Sequence, residues 1–244
     1  MLPDAHVSLS SVLPGPRVAS VTTTQGGVTV QERAERGERA ERREQTALRI
    51  VEAAGIVIDR KGYTAASIPE IQDVANVSRG TVYHHFASKE ELGDAVLARQ
   101  ASFFEQVAKN AATGAPPALW LQALIEISHQ YTASILNDPV LRAAVRLSIE
   151  PGPYQTAESY AGPLSAVTAV LDSARQAGEL QDHVDPGEAA RTLVGCYSGV
   201  QLLAMAMVER DTLHQQVSAM WSLIMPGLAR PDVLAQLSLD PPHS

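Results

Sequence analysis

The chain has 244 residues, 45 % hydrophobic and only 5 % aromatic, with a formal net charge of −8 and one cysteine. That length builds a substantial core in one or two domains, and no apolar run reaches the roughly 18 residues a membrane span needs. The acidic balance argues against a phosphate-rich partner, unless a local basic footprint meets it while an acidic second domain dominates the total. Cys196 has no intrachain partner, which fits a reducing compartment, and its apolar surroundings read as those of a buried, inert thiol.

The N-terminus does not read as a secretory signal: Asp4 stands where basic residues belong, and Pro3 and Pro14 interrupt its short apolar stretch. The protein therefore reads as cytoplasmic. Residues 1–30 show no amphipathic period, and residues 32–44, ERAERGERAERRE, alternate in charge. Residues 1–40 are expected to be a disordered or charged arm. The run is either a solvated arm or, through Arg39, Arg42 and Arg43, a segment that tracks a DNA backbone.

A helix is expected from Gln45 to Arg60, with Ile50, Ala53, Ala54, Val57 and Ile58 on one stripe and Gly62 just past its end. Ser67-Ile68-Pro69-Glu70 and Ser88-Lys89-Glu90-Glu91 have capping-box spacing and open two further helices, the second reaching Asn110. Between them, Asn76-Val77-Ser78 is a turn and Arg79 to Phe86 a short helix. Beyond Pro116 every segment has helical period: Pro117 to Leu136, Asp138-Pro139 to Ile149, Pro163 to Ala177, Asp185-Pro186 to Glu209 and Asp211 to Met225, with a short helix after Pro231. The fold class is all-α. The expected divisions are an arm to residue 40, a first domain over 41–92, a second over 93–238 and a tail over 239–244.

Residues 68 to 86 have the layout of a helix-turn-helix. A second helix that enters a major groove about 12 Å wide needs small or polar leading residues. Ser78, Arg79, Gly80 and Thr81 supply them. Gly80 allows close backbone approach, Arg79 suits guanine O6 and N7, and Thr81 offers a methyl and a hydroxyl. Tyr83, His84, Lys89 and Ser67 suit phosphate contacts, as do Arg42, Arg43 and Thr46 upstream. On pattern alone a plain helical hairpin remains open beside this reading.

The stretch Ile50 to Leu92, IVEAAGIVIDRKGYTAASIPEIQDVANVSRGTVYHHFASKEEL, closely resembles the DNA-binding domain of the TetR family of bacterial repressors. The family's usual Thr-Arg pair at the start of the first helix is here Thr46-Ala47. Further along, Asp138 to Glu150, Ala174 to Leu180 and Asp185-Pro186 look like the γ-butyrolactone autoregulator receptors of streptomycetes. That resemblance implies a homodimeric repressor, bound to a pseudo-palindromic double-stranded DNA operator and released by a small diffusible signal. One departure is Tyr160, where such receptors are expected to carry a tryptophan. A furan, butenolide or antibiotic signal, or a pseudo-receptor, therefore stays open.

Candidate ligand contacts are Trp120, Tyr131, Tyr160, Thr168 and Gln201, each polar-tipped beside an apolar stripe, although each also reads as a satisfied core or dimer residue. Trp221 reads as core or interface. The last two long helices offer Leu193, Tyr197, Val200 and Ala204, and Val217, Met220 and Ile224, as a dimer face. No nucleophile elbow, phosphate loop or zinc-protease motif is present, and His129, His183 and His214 have no metal-ligand spacing, so neither an enzyme nor a cofactor is expected.

Overall fold

The computed structural model describes residues 30–207 and 210–242, which form ten α-helices with no strand among them beyond an isolated bridge between Leu180 and Ala229. The helices are α1 (Val30–Lys61), α2 (Ile68–Ala75), α3 (Arg79–His85), α4 (Lys89–Thr113), α5 (Trp120–Asn137), α6 (Pro139–Ile149), α7 (Glu158–Gln176), α8 (Pro186–Ala206), α9 (Leu213–Leu228) and α10 (Pro231–Leu234). Among these described residues no helix is long and apolar enough to cross a membrane.

Local capping sets most of the boundaries. Ser67, Ser78 and Ser88 each accept a hydrogen bond from the backbone N–H three residues on, and Asp138 and Asp185 do the same ahead of a proline. At α4 the return bond of the capping box lands on the Ala87 N–H, which donates to Glu91 Oε2 at 2.6 Å. Asn76 takes the left-handed conformation (φ 52°) that closes α2 and turns the chain into α3.

Three expectations are corrected. The charged run is not a separate arm, for α1 is helical from Val30, and the remainder of the expected arm, residues 1–29, lies outside the described residues. Glu–Arg pairs four apart, such as Glu38 with Arg42 at 3.4 Å, support this stretch, and Gly37 costs a helix only about 1 kcal/mol. The fifth helix begins at Trp120 rather than Pro117, and Leu119 before it makes no side-chain cap. Its first amides are held from a distance by the buried Glu179 carboxylate, which accepts from Trp120 N and Leu121 N, both at 2.8 Å. The seventh begins at Glu158, five residues ahead of Pro163, which sits inside the helix.

Two cores share one helix. The first joins α1 to α4 and takes Val140, Ala143, Ala144 and Leu147 from α6. Spaced three and four apart, these residues form one helical face. The other face of α6, Leu141 and Val145, belongs to a cluster with Phe103, Phe104 and Tyr131 of the C-terminal half. Close approach of α6 to α1 depends on Gly55, where a Cβ would meet the Val140 Cα at 2.8 Å. Arg142 then donates to Asp59 Oδ2 at 2.8 Å, Arg146 donates to the Asp59 carbonyl at 2.6 Å, and Arg146 pairs with Glu150.

The loop after α6 adds a second link. Tyr154 enters the first core, stands edge-on to Tyr63 and donates to the Glu90 carbonyl at 2.7 Å. Its socket is Gly93, where a Cβ would stand 2.2 Å from the Tyr154 hydroxyl oxygen. The fold also brings together two histidines that the sequence separates. His129 and His214 stack with their Nδ1 atoms 3.1 Å apart, while His129 Nε2 faces the Leu239 carbonyl at 3.0 Å. Burial and the neighbouring His129 hold His214 below the usual histidine range. Among the described residues no further group joins them into a metal-binding cluster.

Gly93→Ala is expected to destabilise the protein by about 2 kcal/mol, the scale of overpacking in a close-packed core. In a Tyr154→Ala background the same change is expected to cost close to nothing, since its clash partner is gone. Urea denaturation of the four-member cycle measures this, and equal costs in both backgrounds would show that Tyr154 does not occupy that socket.

Candidate DNA interface and ligand cavity

The leading turn of α3 is exposed from Ser78 to Gly80, with Thr81 half-buried. Ser78 Oγ lies 2.8 Å from Thr81 Oγ1 and accepts from Thr81 N at 3.1 Å, so both hydroxyls are already ordered by the cap. Arg79 packs over the exposed Tyr83 ring at 5.5 Å, which fixes the guanidinium beside the helix start. Gly80 faces open space, where a Cβ would meet only Ser78 Oγ at 3.7 Å. Nothing inside the subunit therefore requires a glycine there. Val82 and Phe86, fully buried, hold α3 against its neighbours.

The flanking positions divide. Arg42, Arg43 and His84 are exposed, and burial, then His84 and Arg43, hold the His85 pKa below the usual histidine range. Thr46 Oγ1 donates to the Arg42 carbonyl at 2.8 Å. Lys89 is half-buried, with its ammonium 4.4 Å from the Tyr63 ring centroid and 3.4 Å from the Thr64 carbonyl, and burial lowers its pKa. Ser67 is committed to capping α2.

The C-terminal half encloses a cavity of about 720 Å³, open solvent at its mouth included. Walls come from α4, α5, α6, α7, α8 and α9, and among the described residues no Asp, Glu, Lys, Arg or His lines it. Three of the five expected ligand residues, Tyr131, Tyr160 and Gln201, meet there. Tyr131 accepts from Gln100 Nε2 at 2.8 Å, and burial raises its pKa. Tyr160, near the start of α7, donates to the Ser148 carbonyl at 3.3 Å. Trp120 and Thr168 do not reach the cavity: both are half-buried, and Trp120 packs on the C-terminal core.

Four wall residues were expected elsewhere. Leu193, Tyr197 and Met220, read as dimer positions, and Trp221, read as core or interface, all line the cavity. Tyr197 lies 2.7 Å from Thr132 Oγ1, and Trp221 Nε1 donates to Ser128 Oγ at 2.8 Å. Ala204 and Val217 are likewise buried within the subunit, while Val200 and Ile224 are half-buried against the same core. The outer face of α8 and α9 instead carries Leu202, Leu203, Met207 and Leu223, the last 82 % exposed. Cys196, expected to be buried, is exposed on this side of α8. Both helices are apolar nearly all round, so periodicity had no polar stripe by which to tell the inner face from the outer.

Residues 50–96 match the family model of bacterial regulatory proteins of the tetR family, and residues 119–230 match that of the tetracyclin repressor-like C-terminal domain. The chain is 34 % identical over 195 residues to the A-factor receptor protein of Streptomyces griseus, covering 79 % of this chain and 67 % of that one. The chain belongs to the TetR family. Its fold is similar to that of CprB from Streptomyces coelicolor solved in complex with its operator (TM-score 0.66, 27 % identity, 80 % of this chain and 94 % of that one). It is also similar to a γ-butyrolactone receptor, an ArpA-like protein (TM-score 0.64, 25 % identity, 80 % and 93 %). This TetR-type transcriptional regulator thus carries the helix-turn-helix in its matched N-terminal region and most of the cavity wall in its matched C-terminal one.

The open space at Gly80 separates folding from DNA binding. Gly80→Ala is expected to leave the TetR-type fold intact and to raise stability by up to about 1 kcal/mol. If the turn meets a groove closely, operator affinity falls about tenfold or more, equivalent to about 1.4 kcal/mol. Thermal denaturation and fluorescence anisotropy on one preparation read both. Unchanged affinity would remove the leading turn of α3 from the DNA contact.

Proposed function

We propose that the protein is a cytoplasmic, homodimeric repressor that holds a pseudo-palindromic operator and leaves it when a small signal of the γ-butyrolactone, furan or butenolide type fills the cavity. One observation carries this reading: α6 is at once a wall of the cavity, through Val145, Ser148 and Ile149, and a member of the DNA-binding core, through Val140, Ala143, Ala144 and Leu147. Whatever occupies the cavity touches a helix on which the position of α1 to α4 depends. The A-factor receptor relationship and the resemblance to butyrolactone receptors support the signal class, and control of antibiotic biosynthesis is the corresponding biological role.

On the DNA side, Arg79, Gly80 and Thr81 are assigned to base edges, and Ser78, Tyr83, His84, Arg42 and Arg43 to the backbone. Lys89, Ser67 and Thr46 hold local structure that presents these groups. Two copies pair through Leu202, Leu203, Met207 and Leu223, a largely apolar surface suited to a second copy of itself. Pairing sets two recognition helices about 34 Å apart, one turn of DNA. The ligand acts only through its different affinities for the DNA-bound and released geometries. A second reading, a pseudo-receptor that answers an antibiotic or other small molecule, is favoured by Tyr160 in place of tryptophan on the cavity wall.

A gel-shift titration against the DNA upstream of the protein's own gene, repeated with lactone, furan, butenolide and antibiotic panels, is expected to give salt-sensitive, sequence-specific binding released by a compound of the first three kinds. Release by antibiotics alone selects the pseudo-receptor. No specific binding to that DNA or to a random library would overturn the repressor reading. Separately, Leu223→Asp is expected to shift sedimentation from dimer to monomer and to abolish operator binding without unfolding the subunit, because that side chain is exposed. A persistent dimer would place the interface on another face.

A further inference from the structure

Most of the cavity's polar side chains are paired within the subunit, with the Ser198 hydroxyl and Gln201 the exceptions. Tyr131 is bonded to Gln100, Tyr197 to Thr132, Trp221 to Ser128 and Tyr160 to the Ser148 carbonyl. Gln201 differs. The residue is 6 % exposed, and its Nε2 makes no hydrogen bond among the described residues. Its neighbour on the same cavity wall is the Tyr197 hydroxyl, which is already paired with Thr132. A buried N–H donor without an acceptor costs as much as a lost hydrogen bond, so such a group is retained where something else completes it.

The structure assigns Gln201 as the residue that selects the ligand: its amide N–H is the donor for a neutral carbonyl oxygen on an otherwise apolar molecule. This rests on the reading of the cavity as the signal site. It also narrows the signal class, because among the described residues no charged side chain lines the cavity to balance a carboxylate or an amine. A lactone or butenolide carbonyl fits, and a ligand whose oxygen is an ionised acid does not. Gln201 has a second neighbourhood that suits it to this role. With Val145 it also lines a smaller cavity reaching Arg142 and Asp59, the ion pair that ties α6 to α1. A carbonyl bound at Gln201 is therefore registered beside the link between the two cores.

Three probes of one carbon skeleton isolate the donor. γ-Decalactone carries the neutral carbonyl, 2-hexyltetrahydrofuran lacks it, and 4-hydroxydecanoate is the ring-opened anion. Binding to the full chain is read by tryptophan fluorescence, since Trp221 forms part of the wall, and by calorimetry. The wild type is expected to bind the lactone about five- to tenfold more tightly than the tetrahydrofuran, the scale of one net hydrogen bond, and the anion more weakly than either. In Gln201→Leu, and in the unbranched Gln201→Met if leucine impairs folding, the lactone-to-tetrahydrofuran ratio is expected to fall to about one. A merely structural role would lower both affinities together and leave the ratio intact, and that result overturns the assignment while the cavity keeps its role. Equal wild-type affinity for lactone and tetrahydrofuran, or tighter binding of the anion, overturns it too. If none of the probes binds the folded, DNA-competent wild type, the lactone reading of the cavity falls and the assignment falls with it.

Discussion

The packing of α6 between two cores is the constraint on which the rest of the molecule depends. An eleven-residue helix has room for two apolar faces only if its polar positions are few and well used. Here Val140, Ala143, Ala144 and Leu147 serve the DNA-binding core, and Leu141, Val145 and Ile149 turn to the other half. What remains between the faces is Arg142 and Arg146, and both reach Asp59 at the end of α1. The last turn of α1 leaves carbonyls without intrahelical partners, and Arg146 satisfies one of them. Polar satisfaction and domain coupling are thus met by the same side chains.

How much of this the sequence revealed follows from the range of each interaction. Ser67, Ser78, Ser88, Asp138 and Asp185 cap helices within three residues of themselves, so those starts were legible as spacing. The start of α5 was not, because its cap is Glu179, some sixty positions away and brought back by the turn at Gly178. The same holds for His129 and His214, which are scattered in sequence and stacked in the fold. The cavity was half legible. Tyr131, Tyr160 and Gln201 stood out as polar tips on apolar stripes, whereas Tyr197 and Trp221 sit among apolar residues of α8 and α9, where period says little about which neighbour each residue meets. That is also why the stripe named from sequence for the dimer includes Leu193, Ala204, Val217 and Met220, which are buried within the subunit.

The acidic net charge loses its force as an objection once the groups are placed. The exposed groups around α3 include Arg42, Arg43, Arg79, Tyr83 and His84 alongside the carboxylates of Asp73 and Glu90, while those of Asp59, Asp138 and Glu179 are turned inward against arginines or helix amides. A count of −8 sums over both. Only charge facing the phosphates sets the electrostatic share of binding.

The route from cavity to DNA follows from comparing magnitudes. A ligand that displaces α6 can pull Arg142 from Asp59 or carry α1 along with it. Both side chains of that pair are largely buried, at 20 % and 11 % exposure, and breaking such a pair costs about 3–5 kcal/mol. The coupling free energy between two sites in one protein is typically about 1–3 kcal/mol, which is too little to break the pair. Close approach at Gly55 leaves no slack between the two helices either, and Tyr154 in its Gly93 socket pins the far end of the α6 loop to α4. The cheaper motion is therefore a rigid one, in which α6, α1 and the start of α4 tilt together and take the recognition helix with them. The softer contacts lie on the cavity side, where Val145, Ser148 and Ile149 line the cavity as well as packing on their neighbours, and it is there that occupancy shifts the balance between the two geometries.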